Sequence, residues 1–157
     1  MDKLWAPWRI KYIHQKKTKG CVFCKAHKAR TDSKNFIILR SWHCYAILNT
    51  FPYNNGHILI VSNRHVRSLE RLSDHELLDM NKTLIKVKSV LKKILNPEGF
   101  NIGINIGKLA GAGVEKHLHI HLVPRWAGDT NFMPVTADTK LISQSLKELY
   151  KKIKKEL

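Results

Sequence analysis

The sequence predicts an α+β fold with a mainly antiparallel sheet of about five strands, a long central helix and a C-terminal helix. Three observations lead to this class. Short apolar or alternating runs recur in five places, one long segment carries apolar residues at helical spacing, and the C-terminal segment repeats that spacing. With 157 residues, 43% of them hydrophobic, the chain suits one domain with a single core.

The first three strands are predicted at residues 35–40, 43–49 and 56–62. The first two are separated by a turn short enough for a hairpin. The third run is almost continuously apolar, and it is therefore expected to be buried on both faces of the sheet.

The long helix is predicted at residues 73–95. Ser73 followed by Glu76 forms a capping box at its start, and an Asn-Pro pair ends it. Two further strands, at 100–107 and 117–125, flank a loop of small residues, and residues 139–157 form the C-terminal helix.

The chain contains no internal repeat and no linker-like segment, and three parts are expected. An aromatic and basic arm covers residues 1–20, residues 21–135 carry the chemistry, and residues 136–157 pack on that domain or on a partner subunit.

Composition narrows the function classes. The sequence has no long apolar run and no signal peptide, so we expect a cytoplasmic protein that does not enter a membrane. The net charge of +16 favours an anionic partner, but 21 of the 28 basic residues are Lys rather than Arg. We therefore interpret most of this charge as a solvated surface that attracts anions, and a nucleic-acid partner is not expected.

The most informative segment is "HLHIHLVPR", residues 117–125, in which three histidines alternate with aliphatic residues. Side chains in a strand alternate between faces, so His117, His119 and His121 are expected on one face and the aliphatic residues in the core. Two uses of such a row remain open. The imidazoles bind a metal ion, or a neutral imidazole acts as a nucleophile while its neighbours hold phosphate oxygens. The preceding loop "GKLAGAG" favours phosphoryl chemistry, because glycines let backbone amides approach an anion.

The histidine row resembles the His-x-His-x-His-x-x motif of the histidine triad superfamily. The segment "NTFPYNNGHILIVSNRHVRSL", residues 49–69, is similar to that family's ribose-binding strand and turn. Further likenesses at "WAPWR", "AGAG" and "PRWAGDTNFMPV" resemble the branch that contains diadenosine tetraphosphate phosphorylases and fragile-histidine-triad-type dinucleoside polyphosphate hydrolases.

The resemblance implies a role for each matching residue. His119 is the nucleophile that attacks the α-phosphorus and forms a nucleotidyl-histidine, with His117, His121 and His57 around it as orienting and oxyanion-stabilising groups. Asn49 matches the ribose-binding position. The phosphate-contacting positions are matched by Asn105, Gly111, Ala112 and Gly113.

One departure bears on the acceptor. Hydrolytic members usually carry Gln four residues before the first histidine, followed by Ser or Thr, and here Gly113 and Val114 stand in those places. The resemblance therefore favours phosphorolysis of diadenosine tetraphosphate, with inorganic phosphate as the acceptor. The alternative reaction is hydrolysis of diadenosine polyphosphates or of nucleoside phosphoramidates. The non-enzymatic alternative is a zinc-bearing protein that binds nucleotides without turning them over. Magnesium bound with the polyphosphate and a homodimer are further expectations from the family.

The pair Cys21-x-x-Cys24 reads as half of a tetrahedral zinc site, because three cysteines without a secretion signal do not suggest a disulfide framework. The resemblance supplies His65 and His117 as the other two ligands of a structural zinc. His27 and His43 are rival ligands, and two reduced cysteines without a metal are the alternative to any zinc site.

Overall fold

A computed structural model describes residues 20–129 and 142–157 of the chain. The predicted arm at 1–19, with "WAPWR", lies outside the described residues, as do residues 130–141. The division into three parts stays a prediction.

The described chain forms one antiparallel sheet with helices on both faces. The sheet has five strands in the order β1-β2-β3-β5-β4. Every neighbouring pair of strands is antiparallel. The strands are β1 Ile37–Arg40, β2 Cys44–Leu48, β3 Ile58–Ser62, β4 Gly99–Gly103 and β5 His119–Arg125, and the helices are α1 Val22–Ala29, α2 Asp32–Asn35, α3 Asp74–Leu95 and α4 Leu146–Glu156. The predicted fold class is confirmed.

Helix α3 begins and ends where local chemistry requires. The Ser73 hydroxyl accepts the Glu76 N–H at 3.4 Å, and the Glu76 carboxylate accepts the Ser73 N–H at 2.8 Å. The helix stops at Asn96, whose φ of 44° is left-handed and whose N–H donates to Lys92 O.

The sheet separates two apolar clusters. Helices α3 and α4 cover one face, where Leu118, Ile120 and Leu122 join the main core. On the other face Phe23 of α1 packs on a smaller cluster with Tyr45 and Leu59. All five residues of β3 are buried, as the apolar run predicts. None of the helices in the described ranges is long and apolar enough to cross a bilayer.

Several predicted boundaries are wrong. Helices α1 and α2 were not predicted, and residue 35 belongs to α2 rather than to β1. Strand β4 ends at Gly103 and does not reach 107. Helix α4 starts at Leu146, capped by Ser145, so residues 142–145 of the helix predicted at 139–157 are not helical, and residues 139–141 lie outside the described residues. Strand β5 begins at His119, so His117 lies just before it, where its N–H donates to Val114 O in a turn.

Candidate active site

Strand β5 presents its histidines on the face of the sheet that α1 covers. It is hydrogen-bonded to β3 on one side and to β4 on the other, so both flanks of its backbone are held. The rings of His119 and His121 lie 4.9 Å apart between centroids. This placement on a central strand gives the imidazoles a rigid support.

The tautomer of His119 follows from its backbone partner. Its Nδ1 lies 2.8 Å from the carbonyl oxygen of His117, and a carbonyl only accepts, so Nδ1 carries the proton. The lone pair is therefore on Nε2. Burial lowers the pKa of His119 below its ordinary value, and the bond to the carbonyl partly offsets this. A neutral imidazole with a free Nε2 is suited to nucleophilic attack.

A second chain of hydrogen bonds sets the tautomers of His57 and His121. The Tyr53 backbone N–H donates to His57 Nδ1 at 3.0 Å, and the Asn49 amide nitrogen lies 3.2 Å from the same atom. His57 therefore carries its proton on Nε2, which donates to His121 Nδ1 at 2.9 Å. His121 Nε2 is then protonated and buried, and it has no hydrogen-bond partner among the described residues. It is a donor available to an anionic ligand.

Both imidazoles of this pair stay neutral over a wide pH range. Burial, followed by the charges of His121 and His119, lowers the pKa of His57 to about 3. Burial and then the charge of His119 lower the pKa of His121 to about 4. Tyr53 is half exposed, and its ring stacks on His121 with centroids 5.7 Å apart.

Cys21, Cys24, His65 and His117 form a group whose ligand atoms all lie within 4.8 Å of one another. His117 Nδ1 is 3.2 Å from Cys21 Sγ and 3.2 Å from His65 Nδ1. Cys24 Sγ is 3.3 Å from His65 Nδ1. Ligand atoms around a tetrahedral zinc are about 3.3–3.8 Å apart, as zinc bonds of about 2.0–2.3 Å require. The donor set and the spacing therefore fit zinc.

His117 is oriented toward this group by the backbone. Its Nε2 lies 2.8 Å from Ser62 O and must carry the proton, so the lone pair of Nδ1 faces the thiols. The rival ligands His27 and His43 do not belong to this group. His27 stacks on Tyr45 and pairs with Arg40, and the backbone N–H of His43 donates to Asp79.

The remaining predicted residues are placed unevenly. Asn49 lies beside His57, and its Oδ1 accepts the Phe51 N–H at 2.9 Å. Asn105 is near Gly111, which has a φ of 84°, in the loop that precedes the histidines. In the described part of the chain, no hydrogen bond or ring contact joins Asn105, Gly111, Ala112 or Gly113 to the histidine cluster.

Sequence reasoning missed Phe23. Its ring centroid is 5.1 Å from that of His119 and 5.5 Å from that of His117. The available signal was the position of Phe23 between the two cysteines. If both thiols bind one site, an apolar residue between them is brought to the same site.

Comparison with known families agrees with this geometry. The model of the HIT domain family matches residues 30–128. The chain belongs to the HIT family. A protein of Mycobacterium tuberculosis (strain ATCC 25618 / H37Rv) named AP-4-A phosphorylase is 35% identical over 156 residues, covering 94% of this chain and 80% of that protein. A Candida albicans protein named adenosine 5'-monophosphoramidase is 30% identical, with 88% of this chain and 91% of that protein covered.

A solved HIT-fold structure is also similar. A Zn-bound histidine triad family protein from Mycobacterium smegmatis matches with a TM-score of 0.70 and 25% identity, covering 87% of this chain and 91% of that one. The sheet and helices described above are thus those of this fold.

Proposed function

We propose that this HIT-family chain is an enzyme that splits diadenosine tetraphosphate by phosphorolysis through a covalent intermediate on His119. The observation that carries the proposal is the buried, neutral imidazole of His119 with its lone pair on Nε2. The identity with the relative named AP-4-A phosphorylase, which extends over most of both chains, supports this substrate and this acceptor.

The proposed reaction has two displacements. His119 Nε2 attacks one α-phosphorus, the bond from that phosphorus to the bridging oxygen breaks, and ATP leaves. The Nδ1 proton stays on the ring and donates a hydrogen bond to the His117 carbonyl, which stabilises the imidazolium character that develops. An oxygen of inorganic phosphate then attacks the same phosphorus, the P–N bond breaks, and ADP forms with His119 restored.

The surrounding residues supply electrostatic stabilisation. The unpaired Nε2–H of His121 is a donor for a phosphate oxygen, and His57 holds it in that tautomer. We place Asn49 at the ribose, with its amide also directed at His57. The loop residues Asn105, Gly111, Ala112 and Gly113 are proposed to contact the polyphosphate, with magnesium bound to the substrate itself.

Zinc is proposed to bind Cys21, Cys24, His65 and His117, a donor set and spacing that suit a closed tetrahedral site. When bound, it would supply structural cross-linking, because a histidine nucleophile does not need a metal-activated water. His117 is then a metal ligand rather than a group that contacts the substrate. The homodimer and the cytoplasmic location stay predictions.

Hydrolysis is the second candidate. The similarity to the relative named adenosine 5'-monophosphoramidase supports a nucleoside phosphoramidate as the substrate in that case. Gly113 and Val114 bear on the choice of acceptor, because neither offers a polar side chain to position water.

The experiment is incubation with diadenosine tetraphosphate, with and without phosphate, followed by chromatography of the products. His119→Asn is the test variant, and His75→Asn, at an exposed position on α3, is the matched control. ADP and ATP that form only with phosphate, and only with an intact His119, are the expected result. AMP and ATP without phosphate would replace phosphorolysis by hydrolysis, and full activity of His119→Asn would refute the nucleophile.

A further inference from the structure

Phe23 contacts both His119, the proposed nucleophile, and His117 of the metal-binding group, by which we mean Cys21, Cys24, His65 and His117. It is buried at the start of α1, between Cys21 and Cys24. Its ring meets His117 nearly edge-on, at 83°, and His119 at 60°. One aromatic ring therefore contacts a proposed zinc ligand and the imidazole proposed to attack phosphorus.

Two constraints fix the position of Phe23. Its carbonyl accepts a hydrogen bond from the Tyr45 hydroxyl at 2.9 Å, which holds one side of the backbone to β2. The other constraint is the pair of thiols, which lie on either side of it in the chain and face His117 and His65. A metal that joins these thiols to His117, directly before β5, would fix the first turn of α1, which carries the Phe23 ring.

The backbone of His117 makes a second connection between the metal-binding group and the His119 imidazole. The ring of His117 belongs to the metal-binding group, and its carbonyl accepts from His119 Nδ1. Loss of either restraint lets the His119 ring rotate or exchange tautomers. In the alternative tautomer Nε2 carries the proton and has no lone pair for attack.

We propose that Phe23 is a positioning residue for His119, and that a metal in the Cys21, Cys24, His65 and His117 group keeps its ring in place. The order of the nucleophile thus depends on metal occupancy, although the metal takes no part in the chemistry. This inference rests on the proposed zinc site and on the proposed role of His119. Substitution of a residue that packs against a metal ligand typically lowers activity or metal affinity by about 10–100-fold. We therefore expect Phe23→Ala to lower turnover roughly tenfold.

The decisive measurement needs no substrate. Protein labelled with 15N at its histidines is compared by NMR in zinc-loaded and zinc-stripped forms, and the His119 signals are assigned with His119→Asn. We expect one tautomer, protonated on Nδ1, in the zinc-loaded protein and averaged ring signals after stripping. Zinc-loaded Phe23→Ala is expected to show averaged signals already, and Phe23→Tyr, which keeps the ring, to restore the single tautomer.

Two controls separate positioning from general destabilisation. Ile37→Ala removes buried apolar volume from the cluster that contains Phe23, but Ile37 lies on β1 and not in the first turn of α1. This variant should keep the zinc-dependent change in the His119 signals. The methyl signals of Leu149 and Ile153, which are buried on α4 and lie outside the metal-binding group, report whether the stripped chain is still folded. If stripping unfolds the chain, the zinc-loaded Phe23→Ala comparison still decides, because this variant retains all four ligands.

Three results would overturn the inference: identical His119 signals with and without zinc, a single Nδ1-protonated tautomer in zinc-loaded Phe23→Ala, or a chain that binds no zinc. A protein that fails to turn over diadenosine tetraphosphate but shows the NMR changes would refute the proposed function and leave the coupling intact.

Discussion

Replacing Gly56 by alanine tests the turn that delivers His57 to the site. Gly56 has a φ of 77°, and a Cβ there would lie 2.7 Å from Leu95 Cδ1 and 3.0 Å from Pro124 Cγ. The left-handed backbone costs an L-residue about 1–2 kcal/mol. Overpacking of a filled core adds about 1–3 kcal/mol. The end of Leu95 is flexible and the ring of Pro124 is not, so we expect the free energy of unfolding to fall by about 2–4 kcal/mol.

The assay is equilibrium unfolding in urea at pH 7, with the midpoint and slope compared between variants. Gly99→Ala is the matched control, because a Cβ at Gly99 would meet nothing within 4 Å and the residue lies outside the left-handed region. Its unfolding free energy should stay within about 0.5 kcal/mol of the parent. We also expect lower turnover from Gly56→Ala, since His57 Nε2 lies only 2.9 Å from His121 Nδ1. A Gly56→Ala curve that superimposes on the parent would refute the packing argument.

Three further predictions test charge, metal and capping. The free energy of unfolding should be highest above pH 6.5 and fall toward pH 5, by about 2 kcal/mol from His57 and by less from the more exposed His121, because the unfolded chain protonates both imidazoles there whereas the fold keeps them neutral down to a pKa of about 3 and about 4. An unchanged loss in the His57→Gln/His121→Gln variant would contradict this. Cys24→Ser should lose zinc by elemental analysis and melt at a lower temperature, while Cys44→Ser, at a buried thiol outside the metal-binding group, keeps it; full zinc content in Cys24→Ser would rule out the ligand set. Ser73→Ala should cost about 1 kcal/mol of stability in urea unfolding, because it removes the N-cap acceptor of α3; an unchanged midpoint would count against the capping box.

Periodic segments were predicted well from the sequence. The helix predicted at 73–95 is observed at Asp74–Leu95, because its apolar stripe, capping box and terminal Asn-Pro all agree. Helices α1 and α2 have only 8 and 4 residues. Such lengths are marginal in isolation, and α1 depends on Phe23 packing against the sheet, a tertiary contact that no local pattern reveals.

The site was predictable in part. Alternation along 117–125 indicated the shared face of the histidines, which follows from strand geometry alone. The grouping of Cys21 with His117 joins residues 96 positions apart, and it came from the family resemblance rather than from spacing. The tautomers of the histidines depend on backbone groups, namely the carbonyls of Ser62 and His117 and the N–H of Tyr53. Only the folded chain brings these groups to the rings.

The strand order has a consequence for synthesis of the chain. Within the described ranges β4 pairs with β5 alone, and β5 is the last of the five strands to be synthesised although it lies between β3 and β4 in the sheet. A nascent chain that ends before residue 117 therefore lacks the strand that pairs with β4, and it also lacks His117, which we propose as a zinc ligand together with Cys21 and Cys24. Completion of the five-stranded sheet and of the proposed reactive centre thus depend on the same late segment, residues 117–125. We therefore expect a chain that stops before residue 117 to be degraded by proteases as an unfolded protein and to leave no partly active fragment.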